Sequence, residues 1–275
     1  MNDVPGIPEA LKRRYIDWIG RRSPAQLAIP WNRETWTRWL DRRDDLVVLR
    51  NDDLLDLVSR DSVTGVFRKV GTERSIVDAF VAAMIWGYGP VGYGPYRTHR
   101  VLAVNRDPAA RLNDVLVHAA AGDVESAFRA ARAPGLKHLG PAFGTKFLYF
   151  CSLLADRADA ICPVLDSVVA SWFRDNTDFH PRVDVWRWDD YRRYLATLHA
   201  WSAELDGLRI DHIEQLIFDS TWESERPAPG GDDIPSALLR IRELLSGSPT
   251  ASRERYEVHL DALDDLASED GLTES

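Results

Sequence analysis

The residues of this chain that could do chemistry lie together in the segment from Gly135 to Trp172. Lys146 follows a glycine-rich stretch, and Asp166 stands twenty positions later, where another helix is predicted to begin. An unprotonated amine can attack the sugar carbon of a nucleotide, and a carboxylate can stabilise the positive charge that builds on the sugar as its base leaves. The two residue types therefore suit the cleavage of an N-glycosidic bond.

The glycine-rich stretch before Lys146 is predicted to form a hairpin between two helices. The backbone N–H groups of such a hairpin can hold a nucleic-acid phosphate, and glycines allow the close approach that this needs. We expect four residues of the stretch to contact DNA: Gly140, Phe143, Gly144 and Thr145. The alternative is that Lys146 is a solvated lysine and Asp166 only a helix cap, since Asp is favoured near helix N-termini.

Two motifs of this segment resemble those of a known family. The sequences LGPAFGTK (Leu139–Lys146) and CPVLD (Cys162–Asp166) are similar to the LPGVGTK and PVD patterns of helix-hairpin-helix DNA glycosylases, most of all the 8-oxoguanine glycosylase branch. The hairpin here has one additional residue and Gly-Pro in place of Pro-Gly. The resemblance spans about Glu73 to Trp222. It implies an all-α fold, with Lys146 as the Schiff-base nucleophile and Asp166 as the catalytic carboxylate.

A second unusual segment has the sequence WGYGPVGYGPYRTHR, from Trp86 to Arg100. Its glycines and prolines predict that no helix forms between Gly87 and Pro95. In the resembling family this place supplies residues that fill the gap left by an extruded base, and a tyrosine could do so by stacking. We therefore expect DNA contacts from Tyr88, Tyr93, Tyr96 and Arg97. The alternative is a rigid turn whose tyrosines cover the core.

The resemblance also suggests a pocket for the base. In 8-oxoguanine glycosylases a glutamine and, four residues later, a phenylalanine face the base, and these positions hold Glu214 and Phe218 here. One turn after the lysine this chain has Phe150 in place of a cysteine, and two residues after the aspartate it has Val168 in place of a histidine. Because a carboxylate only accepts hydrogen bonds, Glu214 would favour a base edge that presents N–H donors. Core packing of the two phenylalanines and a solvated face for Glu214 are the alternatives.

The elements that position these residues are predicted to be helices. Apolar residues recur with helical spacing through most of the chain, whereas strand patterns are limited to Leu46–Leu49 and Val66–Val70. We predict an all-α, helix-hairpin-helix glycosylase-like fold in three parts. Residues 1–70 form an N-terminal extension that packs on the core, residues 71–225 form the glycosylase-like core, and residues 226–275 form an acidic linker and helical tail.

Composition limits the classes of cofactor and the location. Two cysteines, Cys151 and Cys162, are too few for a cysteine-bound iron–sulfur cluster, and no His, Asp or Glu cluster has metal-ligand spacing. No cofactor is expected, apart from a monovalent cation at the hairpin carbonyls that family analogy alone suggests. Because the chain lacks a long apolar stretch and a signal-peptide pattern, it is predicted to be cytoplasmic and not bound to a membrane.

The net charge of −9 is unevenly distributed along the chain. From Ser202 onward there are 18 acidic residues and six arginines, whereas the first 201 residues have a net charge of +3. The region around Lys146 is mildly basic. The charge of the predicted site therefore permits phosphate binding.

Three functions are consistent with these patterns. The leading hypothesis is a DNA glycosylase that acts on a damaged or modified base of duplex DNA, with 8-oxoguanine as the default substrate and AP-lyase activity as a further consequence of a Schiff base. The second is an N-glycosidase of free nucleosides or nucleotides, which the overall acidity favours. The third is a non-catalytic DNA-binding module that keeps the hairpin, against which the presence of both Lys146 and Asp166 counts.

Overall fold

In this computed structural model the described residues are 4–20, 28–40, 46–90, 92–132 and 135–224. Their helices are α1 (Glu9–Gly20), α2 (Arg33–Leu40), α3 (Arg60–Arg68), α4 (Ile76–Tyr88), α5 (Gly94–Val104), α6 (Pro108–Ala120), α7 (Val124–Ala131), α8 (Pro141–Ser152), α9 (Ser167–Asn176), α10 (Trp188–Glu204) and α11 (Ile210–Ser224). Two short antiparallel strands, β1 (Ile29–Pro30) and β2 (Leu57–Val58), pair with each other, and a 3-10 turn spans Ala158–Ala160. The predicted all-α fold is confirmed.

Helix α4 lies in the core of the fold, and every residue of it except Gly87 is buried. Its sequence is apolar on all faces, as expected of a helix surrounded by other helices. The helix begins with a capping box, in which the Ser75 hydroxyl accepts the N–H of Asp78 and the Asp78 carboxylate accepts the N–H of Ser75. Helices α3, α5, α6 and α8 pack against it, so α4 is the support on which α8 is placed.

The predicted hairpin joins α7 to α8, but α8 begins earlier than the glycine pattern predicts. Gly140 is the N-cap and Pro141 the first helical residue. Proline is favoured at this position because its missing N–H would have no intrahelical partner there. Phe143, Gly144 and Thr145 therefore lie in the first turns of α8 and not in the hairpin itself.

Neither segment predicted as a short strand forms one. Val48 and its neighbours Leu46 and Leu49 are buried, but the chain turns there, and the Val48 N–H donates to the carboxylate of Asp78 at 2.9 Å. Val66 belongs to α3. Both predictions were wrong because short apolar runs look the same whether they face the core from a strand, a turn or a helix.

The predicted absence of helix between Gly87 and Pro95 is wrong at both ends. Helix α4 continues to Tyr88 and α5 begins at Gly94, so only residues 89–93 connect the two helices. Gly89, with a φ of 55°, ends α4. Pro95 lies in the first turn of α5, where the missing N–H costs no hydrogen bond.

The predicted N-terminal extension contains helices that contact the rest of the fold. Helix α1 packs against α11, and α3 packs against α4 and α8. The predicted acidic linker and tail, residues 226–275, lie outside the described residues, and the domain boundaries stay a prediction. Among the described helices, none combines the length and the apolar character that crossing a bilayer requires.

Candidate active site

Lys146 and Asp166 meet between two helices. Lys146 lies in the second turn of α8, and Asp166 is the N-cap of α9. The Lys146 Nζ donates to the Asp166 Oδ2 at 2.7 Å, and the two residues are only 7% and 6% exposed. The two residue types that could do chemistry therefore form one buried ion pair.

The place of Asp166 at a helix N-terminus keeps its carboxylate ionised. Its Oδ1 accepts the N–H groups of Val168 at 3.1 Å and Val169 at 3.2 Å, while Oδ2 faces Lys146. Burial by itself would raise the pKa of this carboxyl. The charge and hydrogen bond of Lys146 and the two N–H groups outweigh burial, so the pKa of Asp166 lies below its usual value. A charged carboxylate is thus held where water is largely excluded.

Thr145 connects the two halves of the ion pair. Its hydroxyl accepts the backbone N–H of Leu165 at 3.1 Å and can donate to the carbonyl of Leu165 or of Ala142, each at 3.2 Å. Because Thr145 precedes Lys146 and Leu165 precedes Asp166, this bond fixes α8 against the start of α9. The side chain of Thr145, predicted to contact DNA, is instead buried and used inside the protein.

A glycine of α4 makes room for Lys146. A Cβ on Gly87 would lie 2.7 Å from the Lys146 Cδ and 3.2 Å from the ring of Phe143, so a larger residue would displace one of them. The ring of Phe143 stacks on Tyr88 with centroids 3.7 Å apart, and the Lys146 Nζ lies 5.2 Å from its centroid. The sequence predicted Gly87 only as the place where a helix ends, and no pattern pointed to its packing against Lys146.

Two side chains from other elements hold the hairpin in shape. Asn105 donates to the Lys137 carbonyl at 3.0 Å and accepts the Lys137 N–H at 2.9 Å, and the Trp186 indole donates to the Leu139 carbonyl at 3.1 Å. A Cβ on Gly144 would lie 2.1 Å from the Trp186 ring. Gly144, predicted to allow the approach of a phosphate, therefore allows the packing of Trp186. No sequence pattern pointed to Asn105 or Trp186.

The exposed side of the hairpin is positively charged. Lys137 and His138 are exposed there, and an Arg100 nitrogen lies 3.3 Å from the His138 Nε2. Partial burial lowers the pKa of His138, and the charges of Arg100, Lys137 and Arg97 lower it further. The first N–H groups of α8, which have no intrahelical partner, add to the positive potential. This surface suits an anion.

The family described as "Putative 8-oxoguanine DNA glycosylase OGG-like protein" matches residues 22–218. The match covers more than half of the chain and includes both Lys146 and Asp166. The chain belongs to this family. Comparison with curated proteins and comparison with solved structures returned no match. Membership of a DNA glycosylase family makes DNA the partner of the protein.

Four residues near the connection between α4 and α5 were predicted to contact DNA. They differ in exposure. Tyr88 is buried, and burial raises the pKa of its hydroxyl. Tyr96 is half-buried, with its ring packed edge-on against Trp39 at 5.1 Å. Tyr93 and Arg97 are exposed and contact each other, with the Arg97 Cζ 5.2 Å from the tyrosine ring. Only these last two can reach a partner without rearrangement.

The residues predicted to form the base pocket lie at different depths. Phe150 is fully buried and stacks on Phe67 at 5.5 Å, whereas Phe218 is half-buried on α11. Glu214 is 1% exposed and accepts a hydrogen bond from Arg60 at 2.7 Å, so the alternative of a solvated face is wrong. Burial raises the pKa of Glu214 to about 7, although Arg60 opposes the rise. No sequence pattern pointed to Arg60.

Metal-binding clusters of three or more His, Cys, Asp or Glu side chains do not occur among the described residues. Cys151 and Cys162 are buried free thiols, and burial raises the pKa of Cys162 to about 12. The monovalent cation suggested at the hairpin stays a prediction. Two of the carbonyls that could bind it, those of Lys137 and Leu139, already accept hydrogen bonds.

Proposed function

We propose that this protein removes a damaged or modified base from duplex DNA through a covalent Schiff base on Lys146. The observation that supports this most is the buried contact of 2.7 Å between the Lys146 Nζ and the Asp166 Oδ2. Base excision by an amine requires a nucleophile and an anionic group that face the same sugar. The membership of a DNA glycosylase family supports the same reaction class.

The resting ion pair determines what precedes the attack. Paired with Asp166, the amine of Lys146 holds the proton that it must lose before its lone pair can react. The departing base takes the electron pair of the N-glycosidic bond and needs a proton. One proton that passes from Lys146 to the base, directly or through Asp166, therefore frees the nucleophile and neutralises the leaving group together.

Asp166 then faces the sugar as a carboxylate without its former counter-ion. It stabilises the positive charge that develops at C1′ as the bond to the base breaks, and the Lys146 Nζ forms a bond to that carbon. Opening of the sugar ring transfers a proton to the ring oxygen and leaves the Schiff base. Loss of a C2′ proton from this intermediate would expel the 3′ phosphate, so AP-lyase activity is part of the proposal.

The hairpin and the start of α8 are proposed to hold the DNA strand. The first N–H of α8 with a partner inside the helix is that of Gly144, which donates to the Gly140 carbonyl at 2.8 Å. The preceding N–H groups of Ala142 and Phe143 are therefore positioned for an outside acceptor such as a phosphate. A phosphate bound there would lie about one helical turn from Lys146.

We propose an oxidised guanine as the first substrate to test, because the description of the family names 8-oxoguanine. The nucleotide has to leave the stack, since the Lys146–Asp166 pair is buried and a sugar inside the duplex could not approach it. Tyr93 and Arg97, both exposed, are the candidates to fill the gap left by the flipped base.

Trapping with borohydride tests this proposal. The protein is incubated with duplexes that contain 8-oxoguanine or an abasic site, and reduction should link protein and DNA through Lys146. We expect the adduct with the wild-type protein and none with Lys146→Gln. If Lys146→Gln gives the same adduct, or the wild-type protein gives none with either duplex, the proposed role of Lys146 is wrong.

Asp166→Asn is the matched variant for the carboxylate. Asparagine caps a helix as well as aspartate does, so α9 should be retained while the charge is lost. We expect binding to lesion DNA to persist and excision to slow by about 100-fold or more. Normal excision by this variant would exclude the proposed role of Asp166.

A further inference from the structure

A partly buried arginine near the ion pair is surrounded by groups that would suit a nucleobase. Arg60, the first residue of α3, donates to the Glu214 Oε2 at 2.7 Å. Its Cζ lies 5.1 Å from the ring centroid of Trp86 and 4.9 Å from that of Tyr149, and its side chain is 11% exposed. We call these four residues the Arg60 cluster.

The Arg60 cluster adjoins the Lys146–Asp166 pair. Tyr149 lies three residues after Lys146 on α8, which places the two side chains on neighbouring parts of one helix face. Trp86 directly precedes Gly87, the residue against which Lys146 packs. Burial raises the pKa of Glu214 to about 7, and the nearby charge of Asp166 adds to that rise. A group bound in the cluster would therefore lie beside the proposed nucleophile.

The Arg60 cluster lacks a hydrogen-bond acceptor for the indole N–H of Trp86. The Trp86 Nε1 is buried and has no partner among the described residues. Arg60, which lies over the same ring, carries only donors and cannot satisfy it. Since buried polar groups normally have partners, this unpaired indole N–H is a place where the carbonyl of a bound ligand could be accommodated.

The guanidinium of Arg60 has the features of a base edge. It is planar, it lies over aromatic rings, and it presents N–H donors to a carboxylate. A base with N–H donors on one edge and a carbonyl oxygen, such as guanine or its oxidised form, offers the same donors to Glu214. Its flat face suits Trp86 or Tyr149, and its carbonyl can accept from the Trp86 Nε1. Arg60 supplies the donors to Glu214 and the flat face, but it has no carbonyl that could accept from the Trp86 Nε1.

Space for Arg60 to move is present. Arg60 and Tyr149 line a cavity of about 520 Å³, whose wall also includes the carboxylates of Asp61 and Asp156. Apart from Arg60, its acidic and basic lining residues are equal in number, since Asp211, Arg68, Arg157 and Arg209 line it as well. A guanidinium that left Glu214 could enter this cavity beside Asp61 and Asp156.

We propose that Arg60 occupies the base subsite of the free protein, and that a flipped guanine-type base displaces it to bind Glu214, Trp86 and Tyr149. This inference rests on the proposed function, because only base excision requires a base beside Lys146. It changes the predicted pocket. The aromatic contacts with the base come from Trp86 and Tyr149, and the fully buried Phe150 packs against both of these rings. It also makes Trp86 a residue that selects bases with a carbonyl.

The test measures nucleoside binding by equilibrium dialysis, with 8-oxo-2′-deoxyguanosine as the probe and 2′-deoxyadenosine, which has no carbonyl, as the control ligand. Arg60→Gln keeps an amide donor for Glu214 but is shorter and uncharged. If Arg60 blocks the subsite, this variant should bind the probe about tenfold more tightly than the wild-type protein, because less binding energy is spent on displacement. Its affinity for 2′-deoxyadenosine should rise less, because adenine offers no carbonyl to the Trp86 Nε1.

Trp86→Phe is the second variant and tests the role of the indole N–H. It retains an aromatic ring and removes the unpaired donor, but it also shortens a buried side chain, so urea unfolding should show a lowered midpoint with a transition that stays cooperative. Added to Arg60→Gln, it should remove most of the tenfold gain for the probe. Unchanged probe affinity in Arg60→Gln, or an undiminished gain after addition of Trp86→Phe, would overturn the proposed subsite.

The wild-type borohydride experiment separates this inference from the proposed function. An adduct together with unchanged nucleoside affinity in Arg60→Gln would reject the Arg60 subsite and leave the glycosylase intact. Tighter nucleoside binding without any adduct would reject the Schiff-base role of Lys146 and leave the guanine-binding site.

Discussion

Some hydrogen bonds of this site hold a charged residue in place and also fix the helix that carries it. A buried ion pair loses hydration energy, and attraction between its members repays that loss only where geometry and further hydrogen bonds are favourable. Asp166 has such bonds, because the carboxylate that faces Lys146 also caps α9. Thr145 adds a third link by accepting the N–H of Leu165. The charges are thus fixed before any substrate arrives, which is what a preorganised site requires.

Thr145→Val tests this arrangement at the residue scale. Valine has nearly the same shape but cannot accept the Leu165 N–H, so a buried donor is left without its partner. We expect the free energy of unfolding, measured with urea, to fall by about 1–3 kcal/mol. Formation of the borohydride adduct should also slow, because α9 and its cap are no longer fixed against Lys146.

Thr145→Ser is the matched control for that change. It keeps the hydroxyl and loses only a methyl group, so the adduct should form at close to the wild-type rate. If valine and serine at this position slow the adduct equally, the hydroxyl has no positioning role and the effect comes from packing alone.

At the scale of elements, the sequence predicts the presence of helices more accurately than the residues at which they begin and end. The helical spacing of apolar residues through most of the chain and the motif at Lys146 were sufficient for an all-α fold and for a lysine near an aspartate. The glycine pattern predicts a start of α8 that is too late, because a proline next to glycines is typical of a hairpin although Pro141 also suits a first helical turn. Asn105 and Trp186 could not be predicted, since their contacts with the hairpin depend on distant segments brought together by folding.

The two glycines at the start of α8 give a prediction for this element. A Cβ on Gly144 would lie 2.1 Å from the Trp186 ring, whereas a Cβ on Gly140 would meet nothing within 4 Å. Gly144→Ala should therefore lower the free energy of unfolding by about 1–3 kcal/mol through overpacking. Gly140→Ala should change it by less than about 1 kcal/mol. Chemical denaturation of both variants measures the difference.

Gly140→Ala also separates folding from binding. If a phosphate lies at the first N–H groups of α8, the new methyl group would stand where the strand approaches. Affinity for duplex DNA should then fall while stability is kept. If Gly140→Ala and the wild-type protein bind duplex DNA equally well, the phosphate does not lie at this end of α8.

At the scale of the whole molecule, carboxylates determine how stability depends on pH. Asp53 accepts hydrogen bonds from Lys69 at 2.6 Å and Asn51 at 2.7 Å and also pairs with Arg74. Burial would raise its pKa, but these partners lower the pKa of Asp53 to about 2. A lowered pKa means that the stabilisation is fully present above the pKa of the unfolded chain, near 4, and is lost as the pH falls through about 2.

Asp53→Asn should therefore lower the free energy of unfolding at pH 7 by about 1 kcal/mol, a value set by the partial exposure of these pairs. The difference from the wild-type protein should shrink between pH 4 and pH 2, where the native carboxylate also becomes protonated. Urea titrations at several pH values measure this. Asp17→Asn, at an exposed site on α1, is the control. It should change neither the free energy of unfolding at pH 7 nor its dependence on pH. A constant difference down to pH 2 would contradict the role of the Asp53 charge.

The distribution of charge leads to a prediction about DNA binding by the whole molecule. The net charge is −9, yet Lys137 and Arg100 place positive charge at the hairpin. Each cation that contacts a phosphate releases counter-ions, so the affinity for duplex DNA should fall steeply with salt, and Lys137→Gln should reduce the slope of log K against log salt by about 1. Lys12→Gln, on the exposed face of α1, should leave the slope unchanged. Fluorescence anisotropy at several salt concentrations distinguishes the two variants, and equal slopes for both would mean that the DNA does not bind at the hairpin.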